Sequence, residues 1–177
     1  MQKQNEFLHR VRQAHQALGI PETFLSECRM PLCNEPDELA DTETDFYDRP
    51  QQLTPAARSA WMKMKQAAGT EGVELFLISA FRSLAYQQHL ITRKLAAGQS
   101  IDVILKVNAA PGFSEHHTGR AIDIGTPGCG ALVEEFENTK AFEWLTRRAC
   151  EFKFALSYPR GNDLGIDYEP WHWCFHP

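Results

Sequence analysis

Two histidines and an aspartate, His116, Asp123 and His172, are of the types that hold a borderline metal ion, and Glu169 stands three residues before the last of them. Within Ser114-Glu-His-His-Thr-Gly-Arg-Ala-Ile-Asp123, the stretch from Arg120 onward alternates as a strand does, so Ala121 and Asp123 share one face while Ile122 and Ile124 take the other. The isoleucines suit a core, which turns Asp123 toward a cleft beside a very small neighbour. Gly119 allows a positive φ or a close backbone approach, and so lets the preceding loop bring a histidine back to Asp123. His116 and His117 are adjacent, and spacing alone leaves both open as that histidine. In Tyr168-Glu-Pro-Trp-His-Trp173, Pro170 cannot donate a ladder hydrogen bond, which places Glu169 in a loop ahead of the strand that carries His172. His, Asp and His make three protein ligands for one zinc ion with the fourth position open, the arrangement of catalytic rather than closed structural sites. A carboxylate that stays off the metal serves as general base, and Glu169 is the candidate. Taken singly, each residue has a plainer role as a packed histidine or a turn aspartate. His9, His15, His89 and His176 have no acidic or histidine partner at a recognisable spacing, and Trp171 and Trp173 read as sheet-face aromatics.

The elements that must position these residues are legible in outline. Leu8, Val11, His15 and Leu18 fall on one face of a first helix over 5–18, ended by Gly19 and Pro21. Residues 31–52 are rich in Asp, Glu, Thr and Pro, show neither helical nor strand period, and read as an irregular covering segment. Thr54 and Pro55 have the chemistry of an N-cap and a first helical residue, opening a second helix that runs past Trp61 and Met64 to Gly69. Val73 to Ala80 is a short apolar strand, followed by helical periodicity to Gly98, so Arg82 lies at a strand's exit. A brief helix capped by Ser100 runs to Val107. Beyond it come a strand over 120–125, a helix over 139–152, and strands over 154–158 and 171–175. Helices and strands mixed in this order predict an α+β fold, a small antiparallel sheet flanked by helices.

The chain's bulk properties narrow the class. With 177 residues of which 43% are apolar, it is long enough for one continuous core, and a single domain over 1–177 is expected, with a helical and irregular part to residue 70 and a catalytic core from 71. A net charge of −5 gives no basic footprint for nucleic acid or an anionic membrane surface. The longest apolar stretches, such as Leu75 to Phe81, fall far below the ~20 residues of a spanning helix, so no membrane insertion is expected. The first residues alternate charged and apolar types and lack the apolar core of a secretory signal, so a cytoplasmic location is expected, with export by a non-Sec route the alternative. Five cysteines, an odd number with no Cys-x-x-Cys pair, read as free thiols.

Three linked segments carry a resemblance. Ser79-Ala-Phe-Arg82-Ser-x-x-x-Gln87, Ser114-x-His116-x-x-Gly119-x-Ala121-x-Asp123 and Glu169-Pro-Trp-His172-Trp resemble, in order and across roughly residues 73 to 175, the D-alanyl-D-alanine carboxypeptidases of the VanY and VanX type. Those belong to a wider group with lysostaphin and the hedgehog N-terminal domain. The resemblance implies one zinc ion held by His116, Asp123 and His172, with Glu169 as catalytic base and Arg82 as stabiliser of the oxyanion. It also implies Ser114 and Gln87 as contacts to substrate backbone or carboxylate. The implied activity is removal of a terminal D-Ala from peptidoglycan-derived peptides. A D-Ala-D-Ala dipeptidase, a crosslink endopeptidase and a non-catalytic zinc-containing binding module are the alternatives. The segment 158–168 departs from the family in lacking its usual Lys and Thr, and the first ~70 residues match none of its motifs.

Overall fold

The computed structural model describes residues 2–177. The chain opens with helix α1 (Gln2–Leu18) and a single turn α2 (Phe24–Glu27), then a hairpin of β1 (Ala40–Thr44) and β2 (Pro50–Leu53). After helix α3 (Pro55–Thr70) come β3 (Phe76–Ser79), α4 (Leu84–Ala96), α5 (Ile101–Val107) and β4 (Ala121–Gly125). Helix α6 (Lys140–Arg148), β5 (Phe154–Leu156) and β6 (His172–Phe175) complete the chain. The main sheet has four antiparallel strands in the order β3-β4-β6-β5, which bears out the α+β expectation.

Local chemistry explains most boundaries. Thr54 accepts a hydrogen bond from Ala57 N, Ser83 from Tyr86 N and Thr139 from Phe142 N, so α3, α4 and α6 each start on a side-chain cap. Ser100 makes no such bond, although α5 begins directly after it. The predicted helix over 139–152 stops being α-helical at Arg148 and ends as a 3-10 turn, Ala149–Phe152, with Lys153 at φ 62°. In α1 the buried stripe is Phe7, Val11, Ala14 and Leu18 with His15 beside it, whereas Leu8 is only half-buried.

One expectation is overturned. Residues 31–52 are not wholly irregular, because Ala40 pairs with Leu53 and Asp41 with Gln52 in an antiparallel ribbon. The ribbon's first strand, ADTET, has no apolar face, so no hydrophobic alternation announced it. Its stability comes instead from Asp45, whose buried carboxylate accepts from Tyr47 N at 2.8 Å, Arg49 N at 3.0 Å, Arg49 Nε at 2.7 Å and Gln51 Nε2 at 2.8 Å. Phe46 N then donates to Leu77 O at 2.8 Å, and the Phe46 ring stacks on Phe76. The hairpin tip thereby covers the edge of β3.

The largest core lies between the sheet and two helices. Ala57, Trp61, Met64 and Ala68 recur at helical spacing on α3 and pack with Leu77, Ile122, Ile124, Trp173 and Phe175 of the sheet, and with Trp144 and Leu145 of α6. Each fully buried side chain of this size stabilises the fold by about 1.5–3 kcal/mol. A second core beneath the cleft joins Leu18, Ile91, Ile104, Phe113, Tyr158 and Ile166. All five cysteines are free, as the sequence implied.

Candidate active site

Strand register creates the site. Ile122 and Ile124 enter the main core, so Asp123 faces the opposite side, where antiparallel pairing sets it directly across from His172. Ser79 of β3 pairs with Asp123 from the other flank. His116 arrives from a 3-10 turn, Glu115–Thr118, that ends at Gly119 with φ 63°. A Cβ on Gly119 would lie 2.8 Å from Leu39 Cδ2 and 3.3 Å from Thr54 N, so both the positive φ and the close approach foreseen there are present.

His116, Asp123 and His172 are all buried, and their ligand atoms lie within 4.8 Å of one another. Asp123 Oδ1 is 3.3 Å from His116 Nε2 and 3.1 Å from His172 Nδ1. Atoms bound to a tetrahedral zinc at about 2.0–2.1 Å stand about 3.3 Å apart, so these spacings fit the ion. Each imidazole is also oriented from behind. His116 Nδ1 donates to Ala80 O at 2.6 Å, which makes the unprotonated Nε2 the ligand atom, and Arg82 Nη2 donates to that Nε2 at 2.7 Å. His172 Nε2 donates to Glu115 Oε2 at 2.9 Å, which leaves its Nδ1 facing Asp123. Glu115 in turn accepts from Ser157 Oγ at 2.5 Å.

His117 is excluded as a ligand. Its Nδ1 donates to Arg82 O at 2.6 Å and its Nε2 accepts from Gly112 N at 3.1 Å, so both ring nitrogens are engaged with backbone. Its work is to bind the loop before the 3-10 turn to Arg82, three residues past the end of β3.

The charges are strongly coupled. Burial opposes ionisation of Asp123, but its interactions with His116 and with the Arg82 guanidinium outweigh it and hold the carboxyl well below its ordinary range. Burial, reinforced by the Arg82 cation, drops His116 to about 4 and keeps it neutral. Burial would lower His172 as well, yet its bonds to Asp123 and Glu115 prevail and raise it to about 10. Burial raises Glu169 to about 7, with the His172 charge pulling the other way.

A cavity of about 520 Å³ opens on this face, lined among others by Arg82, Ser114, His116, Asp123, Glu169 and His172. Glu169 lies before β6, as foreseen, with Oε2 3.8 Å from His172 Nδ1. Arg82 follows β3, with Nε donating to Ser79 Oγ at 2.9 Å and Nη2 to Asp123 Oδ2 at 2.6 Å. Six of the seven residues singled out in the sequence therefore meet at one cavity. Gln87 does not. It is fully buried on the inner side of α4, where Nε2 donates to Ala109 O at 2.8 Å, so it braces the cavity wall and does not touch its contents. Glu115 was missed. Its one signal was an acid next to a ligand histidine, which reads equally as a solvated 3-10 residue until the fold brings His172 onto it.

The chain matches the family VanY, D-alanyl-D-alanine carboxypeptidase, over residues 50–177, so the match takes in α3 ahead of the three motifs. It is 31% identical over 163 residues to YodJ of Bacillus subtilis, covering 86% of this chain and 59% of YodJ, and thus spans little more than half that relative. The bifunctional D-Ala-D-Ala dipeptidase and D-Ala-D-Ala carboxypeptidase VanXYC of Enterococcus gallinarum is 28% identical over 135 residues, covering 73% of this chain and 70% of VanXYC. Among solved structures, the LD-carboxypeptidase LdcB superposes with a TM-score of 0.70 at 32% identity, covering 80% of this chain and 69% of LdcB. A family match over most of the chain, together with the ordered site it contains, makes this protein a member of the VanY family of D-alanyl-D-alanine carboxypeptidases.

Proposed function

We propose that this protein is a zinc-dependent D,D-carboxypeptidase that hydrolyses the terminal D-Ala from peptidoglycan stem peptides or muropeptides. The observation that carries the reading is the His116, Asp123 and His172 triad, oriented from behind, at a cavity that Glu169 and Arg82 also line. His116, Asp123 and His172 would hold one zinc ion, which would supply Lewis acidity to the site. Glu169 receives the proton of the attacking water and returns it to the leaving amine, a task suited to a carboxyl raised by burial to about 7. Arg82, steered by Ser79, stabilises the negative charge that develops on the scissile carbonyl oxygen. Ser114, buried in the cavity wall, contacts the substrate backbone.

A second reading is favoured by the likeness to LdcB at 32% identity: the residue before the released D-amino acid is then of L configuration, making this an L,D-carboxypeptidase. Incubation of the zinc-loaded protein with a tetrapeptide stem, a pentapeptide stem, D-Ala-D-Ala and crosslinked muropeptides, with products identified by mass, separates the cases. Loss of one D-Ala from the pentapeptide supports the first reading, and cleavage of the tetrapeptide alone supports the second. Cleavage of the dipeptide alone indicates a dipeptidase, and freed stems from crosslinks an endopeptidase. Glu169→Gln should retain zinc and lose turnover. No turnover by the intact, zinc-loaded chain would refute an enzymatic role and leave a binding module.

A further inference from the structure

An enzyme that removes one residue from a chain end must recognise that end, and in a carboxypeptidase the mark is a free carboxylate. Three long cationic side chains line the cavity: Arg49, Arg82 and Lys94. Two are already matched. The Arg49 guanidinium is bound to the Asp45 carboxylate at 2.7 Å, and Arg82 to Asp123 at 2.6 Å. Among the described residues Lys94 takes part in no ion pair, although it is only partly exposed.

The register of α4 aims it. Tyr86, Leu90 and Lys94 recur every four residues and all line the cavity, while Leu84, Gln87 and Ile91 form the helix's buried face. The lining stripe is about 12 Å long at 1.5 Å per residue. Its first member, Tyr86, shares a recess with Arg49, Ser79 and Arg82, and Leu90 packs against the core that holds Tyr158 and Ile166. Lys94 thus stands at the far end of this stripe from Tyr86, close enough to Arg82 and Glu169 to feel their charges.

Asp167 N donates to Lys106 O at 2.7 Å, tying the end of α5 to the 158–167 segment, and the lining residues Asn108, Ala109, Tyr158 and Ile166 are buried, while Val107 at the end of α5 is 45% exposed. On the β3 side the lining Tyr47 is 54% exposed.

We propose that Lys94 binds the free terminal carboxylate of the substrate and thereby sets the site's preference for a chain end. The inference rests on the carboxypeptidase reading above and names the group that reads the terminus. Burial and the neighbouring Arg82 cation depress the Lys94 ammonium from its ordinary value, with Glu169 opposing, as expected for a cation that lacks an anionic partner.

The test is a matched pair of stem peptides, one ending in a free carboxylate and one in a carboxamide, given to zinc-loaded wild type, Lys94→Met and Lys94→Arg. A charged hydrogen bond of this kind corresponds to about 10–100-fold in binding. Wild type should prefer the acid by that factor in kcat/KM. Lys94→Met should raise KM for the acid with little change in kcat and bring the acid-to-amide ratio near unity, and Lys94→Arg should restore much of it. In a Glu169→Gln background, calorimetry should show the same loss of affinity for the acid. Lys94→Gln, checked by thermal unfolding and zinc content, serves if the Met variant folds poorly. Undiminished acid preference in both neutral variants, or no preference in wild type, overturns the proposal while leaving hydrolysis established. If no peptide is turned over, the carboxypeptidase reading fails, and the calorimetric arm decides alone: acid binding unaffected by the loss of Lys94 overturns the proposal.

Discussion

Glu115 offers the sharpest test of how the metal ligands are set. It makes no contact with the cavity's contents; its Oε2 accepts the Nε2 proton of His172 and so obliges Nδ1 to face Asp123. Glu115→Ala leaves that Nε2–H without a partner inside a residue only 2% exposed, and lets the ring rotate or change tautomer. A buried donor stripped of a charged acceptor costs about 1–3 kcal/mol, and outer partners of ligand histidines are worth about 10–100-fold in metal affinity. Zinc affinity should therefore fall by about 10–100-fold, measured by competition with a chromophoric chelator at fixed pH. Removing the carboxylate also loosens the proton on His172, which by itself favours the metal, so Glu115→Gln separates the two effects. The amide oxygen can still accept from Nε2–H, and most of the affinity should survive. If Glu115→Ala folds normally and binds zinc within about twofold of wild type, orientation of His172 from behind is not what holds the ion.

Arg82→Ala should keep its zinc and lose about 10²–10³ in turnover, and metal analysis beside the kinetics distinguishes this from a lost ligand. His117→Ala should bind zinc normally but lose about 2 kcal/mol or more of stability in denaturant unfolding, because two backbone groups lose their partner; zinc loss with the fold intact would transfer the ligand role to His117. In the metal-free protein His172 is raised from its ordinary 6.5 to about 10, so the stability its proton lends the fold is complete below pH 6.5 and disappears as pH climbs through about 10. Zinc must displace that proton, so calorimetry in buffers of different ionisation enthalpy should show about one proton released at pH 7, and affinity should rise with pH up to about 10.

What could be read from the sequence follows how local the information is. Asp123 was legible because alternation beside Ile122 and Ile124 fixes its face, and Gly119 because its backbone demand is written in the residue type. Helix starts at Thr54, Ser83 and Thr139 are likewise local hydrogen bonds. The hairpin over 40–53 was not legible, since its first strand is polar on both faces and its organiser, Asp45, acts through bonds to residues two to six positions on. Gln87 was assigned to the substrate by resemblance, but it lies one residue past Tyr86, and a step of one on a helix turns the side chain away from the cavity. Glu115 escaped because its partners, Ser157 and His172, are 42 and 57 residues distant and meet it only in the folded chain.

The order of strands has a further consequence. Asp123 and His172 ride on β4 and β6, the two inner strands, each hydrogen-bonded to a neighbour on both sides. Amides on such strands exchange with solvent only when the whole sheet opens, whereas edges and loops open by small local excursions. An ion seated between these two side chains can escape through the mouth of the cavity, but opening of the edge strands gives it no second exit. Amide protons of Asp123 and Trp173 should thus be among the slowest in the molecule, and heat should release metal and melt the sheet in a single step.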